Sequence, residues 1–242
     1  MYNVTSIQKL GKIGDRLLFN FLALDKRNAE EVMEASGGYA VPGIVSTDFA
    51  TPEEASARVA QLKEAAPIVS VGLGGGGDTS MWRKVLDIGL ASDPGHINQP
   101  FHTASYAQGM FDKAGVAQYV NALIAPTGQK GVVRLANGSE IDVDALLELA
   151  AMMNVVSIKV MPVKGLDHLD ELVYIAQAAA RRGIYGIEPA GGIHAGNVRE
   201  LVAALLRTDI PFVMPHIFGN TIDPGSGRTL PEKVEEIVKP FR

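Results

Sequence analysis

A lysine interrupts one of the apolar stretches of this sequence. Lys159 lies in residues 155–161, which read VVSIKVM. Alternate residues of a β-strand point to opposite faces, so Val156, Ile158 and Val160 would form an apolar face and Lys159 would lie on the other. Burial favours the neutral amine of a lysine, which can attack a ketone and form a Schiff base. A structural ion pair would instead keep the ammonium group charged, and the pattern alone leaves both interpretations open.

A carboxylate occupies the corresponding place in the next apolar stretch. Residues 184–188 read IYGIE, so Tyr185 and Ile187 would form one face and Glu188 would lie on the other. If the two stretches are neighbouring parallel strands, Lys159 and Glu188 meet near the carboxyl ends of both. They could be an acid–base pair for imine chemistry or a structural salt bridge.

Polar residues interrupt other apolar stretches in the same way. The same alternation predicts that these side chains share the face of Lys159: Asn20, Ser70, His96, Asn98 and Asn121. A single residue of this kind is usually a satisfied core group, but several on different strands predict a polar pocket. We expect Asn98 to contact the substrate, together with His216, which follows the last predicted strand.

Two glycine-rich segments follow predicted strands. Residues 189–194 read PAGGIH and precede a helix, so the N–H groups of Gly191, Gly192 and Ile193 could bind a phosphate; a tight turn is the plainer interpretation. Residues 72–78 read GLGGGGD and contain G-x-G-x-x-G. Because this motif follows the third strand rather than the first, we interpret it as a flexible substrate loop and not as a dinucleotide site.

The elements that would position these residues alternate regularly. Eight apolar stretches alternate with amphipathic ones, which predicts a parallel sheet, and the number eight favours a (β/α)₈ TIM barrel in a single domain over residues 1–242. Active sites of such barrels lie at the carboxyl ends of the strands. We also predict a small hairpin excursion at about 130–143, around Asn137-Gly138. The predicted strands are Leu17–Leu24, Pro42–Ser46, Pro67–Leu73, Gly95–Asn98, Tyr119–Ala125, Val155–Met161, Ile184–Glu188 and Pro211–Pro215.

The composition excludes several classes of function. The 242 residues carry a net charge of -5 and include no cysteine, which excludes disulfides, thiol catalysis and cysteine-based zinc sites. No basic run suggests a nucleic acid partner, and no stretch of about 18 apolar residues suggests a membrane span. The first residues lack an apolar signal-peptide core, so we expect a cytoplasmic protein. No paired metal-ligand spacing joins the histidines, although a site assembled across strands stays open.

Two motifs resemble those of a known family. Ile158–Pro162, IKVMP, resembles the Lys-Phe-Phe-Pro signature of the 2-keto-3-deoxy-6-phosphogluconate aldolases, and Pro189–Ile193 resembles their Pro-Thr-Gly-Gly-Ile phosphate loop. Over nearly its whole length the chain is similar to the DgaF-type 2-dehydro-3-deoxyphosphogluconate aldolases of glucosaminate catabolism. The matching stretches are Leu73–Asp78, His96–Gln99, Asn121–Gly128, Lys159–Leu166, Glu188–Ile193 and Met214–His216.

The resemblance implies a class I aldolase that needs neither a metal nor an organic cofactor. Lys159 would form the Schiff base, and Gly191 and Gly192 would hold the phosphate of a small phosphorylated keto acid. Retro-aldol cleavage of 2-dehydro-3-deoxy-6-phosphogluconate, or of a close relative, would release pyruvate and glyceraldehyde 3-phosphate.

One departure from the family pattern concerns the general base. The better-known aldolases take a glutamate and a carboxylate-binding arginine from the second strand, but residues 43–48 here read GIVSTD. Glu188 is therefore the first choice of base and Asp48 the second. Lys164 and Arg16 are candidate cations for the substrate carboxylate or phosphate.

Three other functions remain alternatives at this point. A metal-dependent pyruvate aldolase could use histidine and acidic ligands on the same barrel, and a phosphosugar isomerase or epimerase could share the phosphate loop. A non-catalytic protein that binds phosphorylated metabolites fits an inward lysine less well. Because related barrels often assemble, we expect a homo-oligomer.

Overall fold

The computed structural model of the protein describes residues 6–242. Its main sheet is parallel and has the strand order β1-β2-β3-β4-β5-β8-β9-β10. The strands are β1 (Phe19–Leu22), β2 (Ala40–Val45), β3 (Val69–Gly72), β4 (Gly95–Pro100), β5 (Tyr119–Pro126), β6 (Val132–Arg134), β7 (Glu140–Asp142), β8 (Ser157–Val160), β9 (Gly186–Pro189) and β10 (Phe212–Val213). Each predicted strand therefore overlaps an observed one.

Helices follow the strands of this sheet and cover its outer face. They are α1 (Lys26–Ser36), α2 (Pro52–Lys63), α3 (Trp82–Ser92), α4 (Phe101–Ala114), α5 (Val143–Met152), α6 (Leu169–Arg181), α7 (Val198–Leu206) and α8 (Pro231–Val238). Local signals set their ends. Thr51 caps α2 by accepting a hydrogen bond from the Glu54 N–H, and Gly37 ends α1 in the left-handed conformation that glycine adopts most easily. Within residues 6–242, no helix combines the length and the apolar character that a membrane crossing requires.

The sheet closes on itself between its first and last strands. Parallel bridges join Leu17 to Val213 and Asn20 to His216. The Asn20 N–H donates to the Pro215 carbonyl at 2.9 Å, so the pairing continues past the end of β10. Eight parallel strands in this order, with bridges between the first and the last, make a (β/α)₈ barrel, and the predicted fold is confirmed.

Among the pairs of named strands in the described residues, the antiparallel ones all involve the predicted hairpin. β6 pairs with β7 and also with the end of β5, where Ala125 lies opposite Arg134. Gly138 adopts a φ of 85° in the turn between β6 and β7. The hairpin therefore extends β5 beyond the carboxyl end of the barrel.

The barrel interior is apolar at its amino end and polar above it. Buried side chains close the amino end in one cluster: Leu18, Val41, Ile68, Tyr119, Phe212 and Met214. Ile158 and Ile187 belong instead to the larger core that contains the buried helix residues. The residues that alternate with them, Ser157 and Glu188, point inward and hydrogen-bond to each other across the β8–β9 pair. The predicted alternation of these strands is therefore confirmed.

Candidate active site

Lys159 lies inside the barrel, on β8, with a side chain that is almost entirely removed from solvent. The residue is 6% exposed, and its Nζ donates to the Asn98 Oδ1 at 2.8 Å. Burial lowers the pKa of Lys159 to about 8, against the opposing effect of the Glu188 charge. The structure therefore holds an amine that is much easier to deprotonate than an exposed lysine.

Glu188 is the anion at the centre of the polar interior. Its Oε2 accepts hydrogen bonds from the Asn121 amide at 2.7 Å, from His216 Nε2 at 2.7 Å and from His96 Nε2 at 3.0 Å. Its Oε1 accepts from the Ser157 hydroxyl at 2.6 Å. Burial of the carboxyl group favours its neutral form, but its electrostatic interactions and hydrogen bonds with His96 and His216 outweigh burial and hold the pKa of Glu188 well below its usual range.

His216 connects the lysine to the carboxylate. Its Nδ1 lies 3.2 Å from Lys159 Nζ, and its Nε2 lies 2.7 Å from Glu188 Oε2. An ionised carboxylate accepts only, so the Nε2 carries a proton and the Nδ1 presents a lone pair to the amine. Burial and the nearby Lys159 charge lower the pKa of His216 to about 3, which keeps the imidazole neutral. The amine thus faces a proton acceptor that Glu188 orients.

Asn98 is fixed by its own partners on the opposite side of Lys159. Its amide nitrogen donates to the Ser70 hydroxyl at 3.2 Å and to the Val71 carbonyl at 2.9 Å. Its Oδ1 accepts from Lys159 and also from the Asn121 amide at 2.8 Å. The predicted polar residues on β3, β4, β5, β8 and β9 therefore form one connected network, in which each side chain limits the orientation of the next. Asn20 on β1 lies outside it, since its amide donates to the Val41 carbonyl at 2.7 Å.

A cavity of about 260 Å³ opens from Lys159 toward the mouth of the barrel. Asn98 and Lys159 line its inner end, Phe218 and Leu123 line its sides, and Asp48 lies at its rim. Partial burial raises the pKa of Asp48. Asp48 is the one acidic side chain among the described residues that line this cavity.

Comparison with known sequences identifies the family of this chain. A sequence model of the KDGP aldolases matches residues 13–225. The chain belongs to the KDGP aldolase family. Membership makes it a carbon–carbon lyase. A curated relative, the 2-dehydro-3-deoxy-phosphogluconate aldolase of Salmonella typhimurium, is 35% identical over 245 residues, which cover 96% of this chain and 99% of the relative.

Solved structures of other proteins share the fold at low sequence identity. A thiamine phosphate pyrophosphorylase from Pyrococcus furiosus superposes with a TM-score of 0.56 at 15% identity, over 93% of this chain and 95% of that chain. The carboxyl transferase domain of Rhizobium etli pyruvate carboxylase superposes with a TM-score of 0.57 at 15% identity, over 99% of this chain and 51% of that chain. At such identities the likeness concerns the barrel alone.

Not every residue predicted for the aldolase site lines this cavity. Gly191, Gly192 and Ile193 follow β9, and their N–H groups donate to no acceptor within residues 6–242, although their carbonyls accept hydrogen bonds. Lys164 is exposed in the loop after β8, at a φ of 49°. The cavity lining includes none of these four residues, so their predicted roles in binding stay predictions.

Arg16 lies at the opposite end of the barrel. Its guanidinium group donates to the carbonyls of Leu206, Thr208 and Ile210, which precede β10 and therefore lie at the amino ends of the strands. These hydrogen bonds connect the segment before β1 to the segment before β10, and they hold the positive charge of Arg16 at the end of the barrel opposite the cavity. We therefore do not assign Arg16 to the substrate.

The same polar interior contains the one group of three potential metal ligands found among the described residues. Ligand atoms of His96, Glu188 and His216 lie within 4.8 Å of one another. Because an ionised carboxylate only accepts hydrogen bonds, we infer that both Nε2 atoms facing Glu188 carry a proton, and in this state they offer no lone pair to a metal. His96 was predicted to point inward, but its contact with Glu188 was not, because β4 and β9 are far apart in sequence.

Proposed function

We propose that this aldolase cleaves 2-dehydro-3-deoxy-6-phosphogluconate, or a close 2-keto-3-deoxy sugar acid phosphate, to pyruvate and glyceraldehyde 3-phosphate through a Schiff base on Lys159. The observation that carries the proposal is a buried amine with a pKa of about 8 that opens into a cavity and contacts a neutral imidazole. The Salmonella relative bears the name of the same activity.

Imine formation would begin with attack of the neutral Lys159 amine on the C2 ketone. The new C–N bond leaves an extra proton on nitrogen, and the His216 Nδ1 lone pair is placed to receive it. Glu188 would stabilise the resulting imidazolium through the Nε2–H bond. The alkoxide formed at C2 takes a proton from solvent, and the imidazolium then returns its proton to the resulting carbinolamine hydroxyl, which leaves as water and gives the iminium.

Carbon–carbon cleavage would use the iminium group as an electron sink. A base removes the C4 hydroxyl proton, the C3–C4 bond breaks, the aldehyde leaves and an enamine remains on Lys159. The enamine is protonated at C3, and water releases pyruvate. Glu188 is fully buried and accepts four hydrogen bonds, and neither Glu188 nor His216 is among the described residues that line the cavity. Of the two, His216 contacts the Lys159 amine, at 3.2 Å, so we assign the proton transfer to His216 through a water molecule.

Asp48 is the alternative to His216 as the general base, since its carboxyl group lines the cavity. If His216 is the proton acceptor, Asp48→Asn should change kcat by no more than about threefold, whereas loss of a general base typically costs about 10²- to 10⁴-fold. The measurement is steady-state cleavage of 2-dehydro-3-deoxy-6-phosphogluconate, coupled to reduction of the pyruvate formed. A fall of about 10²-fold or more in Asp48→Asn would transfer the role of the base to Asp48.

The lowered pKa of Lys159 predicts how adduct formation depends on pH. With a pKa of about 8, roughly one-tenth of the amine is neutral at pH 7, and that fraction rises with pH until it saturates above the pKa. The rate of trapping by pyruvate and cyanoborohydride should therefore rise through pH 7 and level off above about pH 8. A midpoint near the ordinary lysine value of 10.5 would contradict the proposal.

A metal-dependent aldolase is the second candidate, favoured by the grouping of His96, Glu188 and His216. Incubation of the protein with a chelator distinguishes the metal-dependent mechanism from the Schiff-base mechanism. A metal-dependent enzyme would lose activity and would not be trapped by pyruvate and borohydride, whereas the Schiff-base enzyme would keep its activity and be trapped.

A further inference from the structure

A second cavity adjoins the one that contains Lys159. It has a volume of about 490 Å³ and shares with the first the residues Gly75, Gly76, Gly77, Leu123 and Met161. Its far end is lined by the hairpin residues 134–136. The two cavities therefore adjoin along the glycine run, and a molecule held at Lys159 would reach the second cavity by extending along this run toward the hairpin.

The strand register places Arg134 along this path. Leu123 pairs with Lys159 across β5 and β8, and Ala125 pairs with Arg134 across β5 and β6. Leu123 and Ala125 are two residues apart on β5, so their side chains share a face of the sheet. Arg134 is the cross-strand partner of Ala125 and therefore lies on the same face. The Arg134 backbone thus lies about 7 Å beyond the level of Lys159, on the side of the cavity.

Lys159 and Arg134 are the two basic side chains among the described residues that line the joined cavities. Arg134 pairs with Glu140 at 2.8 Å, but both side chains are about half exposed, and an exposed pair of this kind holds its members weakly. The acidic residue on the same rim, Asp78, accepts hydrogen bonds from the backbone and hydroxyl of Ser80 instead. The Arg134 guanidinium can therefore serve another anion.

The glycine run offers further donors beside it. Gly75 and Gly76 line both cavities and have positive φ values of 53° and 71°. Within the part of the chain that the structure describes, their N–H groups donate to no protein acceptor. Successive free N–H groups of this kind form anion-binding concavities.

We propose that the space between the glycine run and the hairpin binds the terminal phosphate of the substrate, with Arg134 as its charged partner. The inference rests on the proposed function, because the reacting C2 must be held at Lys159 for the far end to reach the hairpin. It differs from the phosphate site predicted at Gly191 and Gly192, which line neither cavity. The hairpin excursion then has a role in substrate selection.

The test compares phosphorylated and unphosphorylated 2-dehydro-3-deoxygluconate in the variant Arg134→Met. Loss of a charge-assisted phosphate contact should lower kcat/KM for the phosphorylated substrate by about 10- to 100-fold. The value for the unphosphorylated substrate should change by no more than about threefold. Arg199→Met, which removes an exposed arginine on α7, is the matched control and should change neither value.

Inorganic phosphate separates this proposal from the proposed function. It should inhibit the wild-type protein competitively and should bind Lys159→Met, which cannot form an imine, but its affinity should fall in Arg134→Met. Glu140→Gln frees the guanidinium group and should tighten phosphate binding. An unchanged phosphate affinity in Arg134→Met, or equal losses on both substrates, would overturn the role of Arg134 whether or not pyruvate is trapped on Lys159.

Discussion

Replacement of Lys159 by methionine should lower kcat/KM for aldol cleavage by at least about 10³-fold, because the variant lacks the nucleophile and keeps only binding and orientation. Methionine retains most of the length of the side chain without an amine, so the apolar part of the buried site stays filled. The two measurements are steady-state cleavage and the mass of the protein after treatment with pyruvate and borohydride. The wild-type protein should gain one reduced pyruvate, and Lys159→Met should gain none.

The control for this experiment is another lysine. Lys113 is exposed in the last turn of α4, and Lys113→Met should keep both the activity and the adduct. Peptide mapping of the wild-type adduct should locate the added mass on Lys159. Near-normal activity in Lys159→Met, or an adduct on a different lysine, would remove the imine mechanism from this protein while leaving its family membership intact.

Replacement of Glu188 by glutamine should have the second largest effect, a fall in kcat of about 10²- to 10⁴-fold. The carboxylate accepts from His216 Nε2 and so keeps the Nδ1 lone pair directed at Lys159. A glutamine amide can donate to Nε2 and favour the opposite tautomer, which would leave the amine without a proton acceptor. The buried side chain keeps its volume in this substitution.

A pH series distinguishes this role from simple damage to the site. The Glu188 charge raises the pKa of Lys159, so its removal should move the midpoint of pyruvate trapping below about pH 8. Glu188→Gln should therefore carry a more readily deprotonated amine and yet turn over more slowly. Thermal unfolding would verify that the variant is folded, and Glu200→Gln, on the exposed side of α7, is the matched control.

The double variant Glu188→Gln with His216→Asn adds a further check. If the two residues act as one unit, the double variant should be about as slow as the slower single variant. Additive losses would mean that Glu188 and His216 act in separate steps. Activity of Glu188→Gln within about threefold of wild type would show that the carboxylate is only structural.

Much of the barrel could be predicted from local patterns in the sequence. The alternation around Lys159 and Glu188 placed both side chains inside the barrel, and their register pairs them on neighbouring strands. The hairpin at Asn137-Gly138 also lies where its turn signal predicted it. These features depend on neighbours in sequence, since strand faces and tight turns follow from backbone geometry over a few residues.

The contacts between the predicted polar side chains could not be derived from local patterns in the sequence. The sequence suggested Glu188 as the base, but not that its carboxylate would be fully buried among His96, Asn121, Ser157 and His216. All four partners are between 28 and 92 residues away from Glu188 in sequence. Such distances between side chains are set only when the sheet closes.

By itself, the sequence determined the order of strands and helices, the faces on which Lys159 and Glu188 lie, and the family to which the chain belongs. The tertiary structure decided which groups contact the amine, that Arg16 binds carbonyls at the opposite end of the barrel, and that Arg134 lines a cavity adjoining that of Lys159. The reason is physical. Alternation along a strand is a property of the local backbone, whereas proton acceptors and charged partners are brought together by ring closure across distant strands.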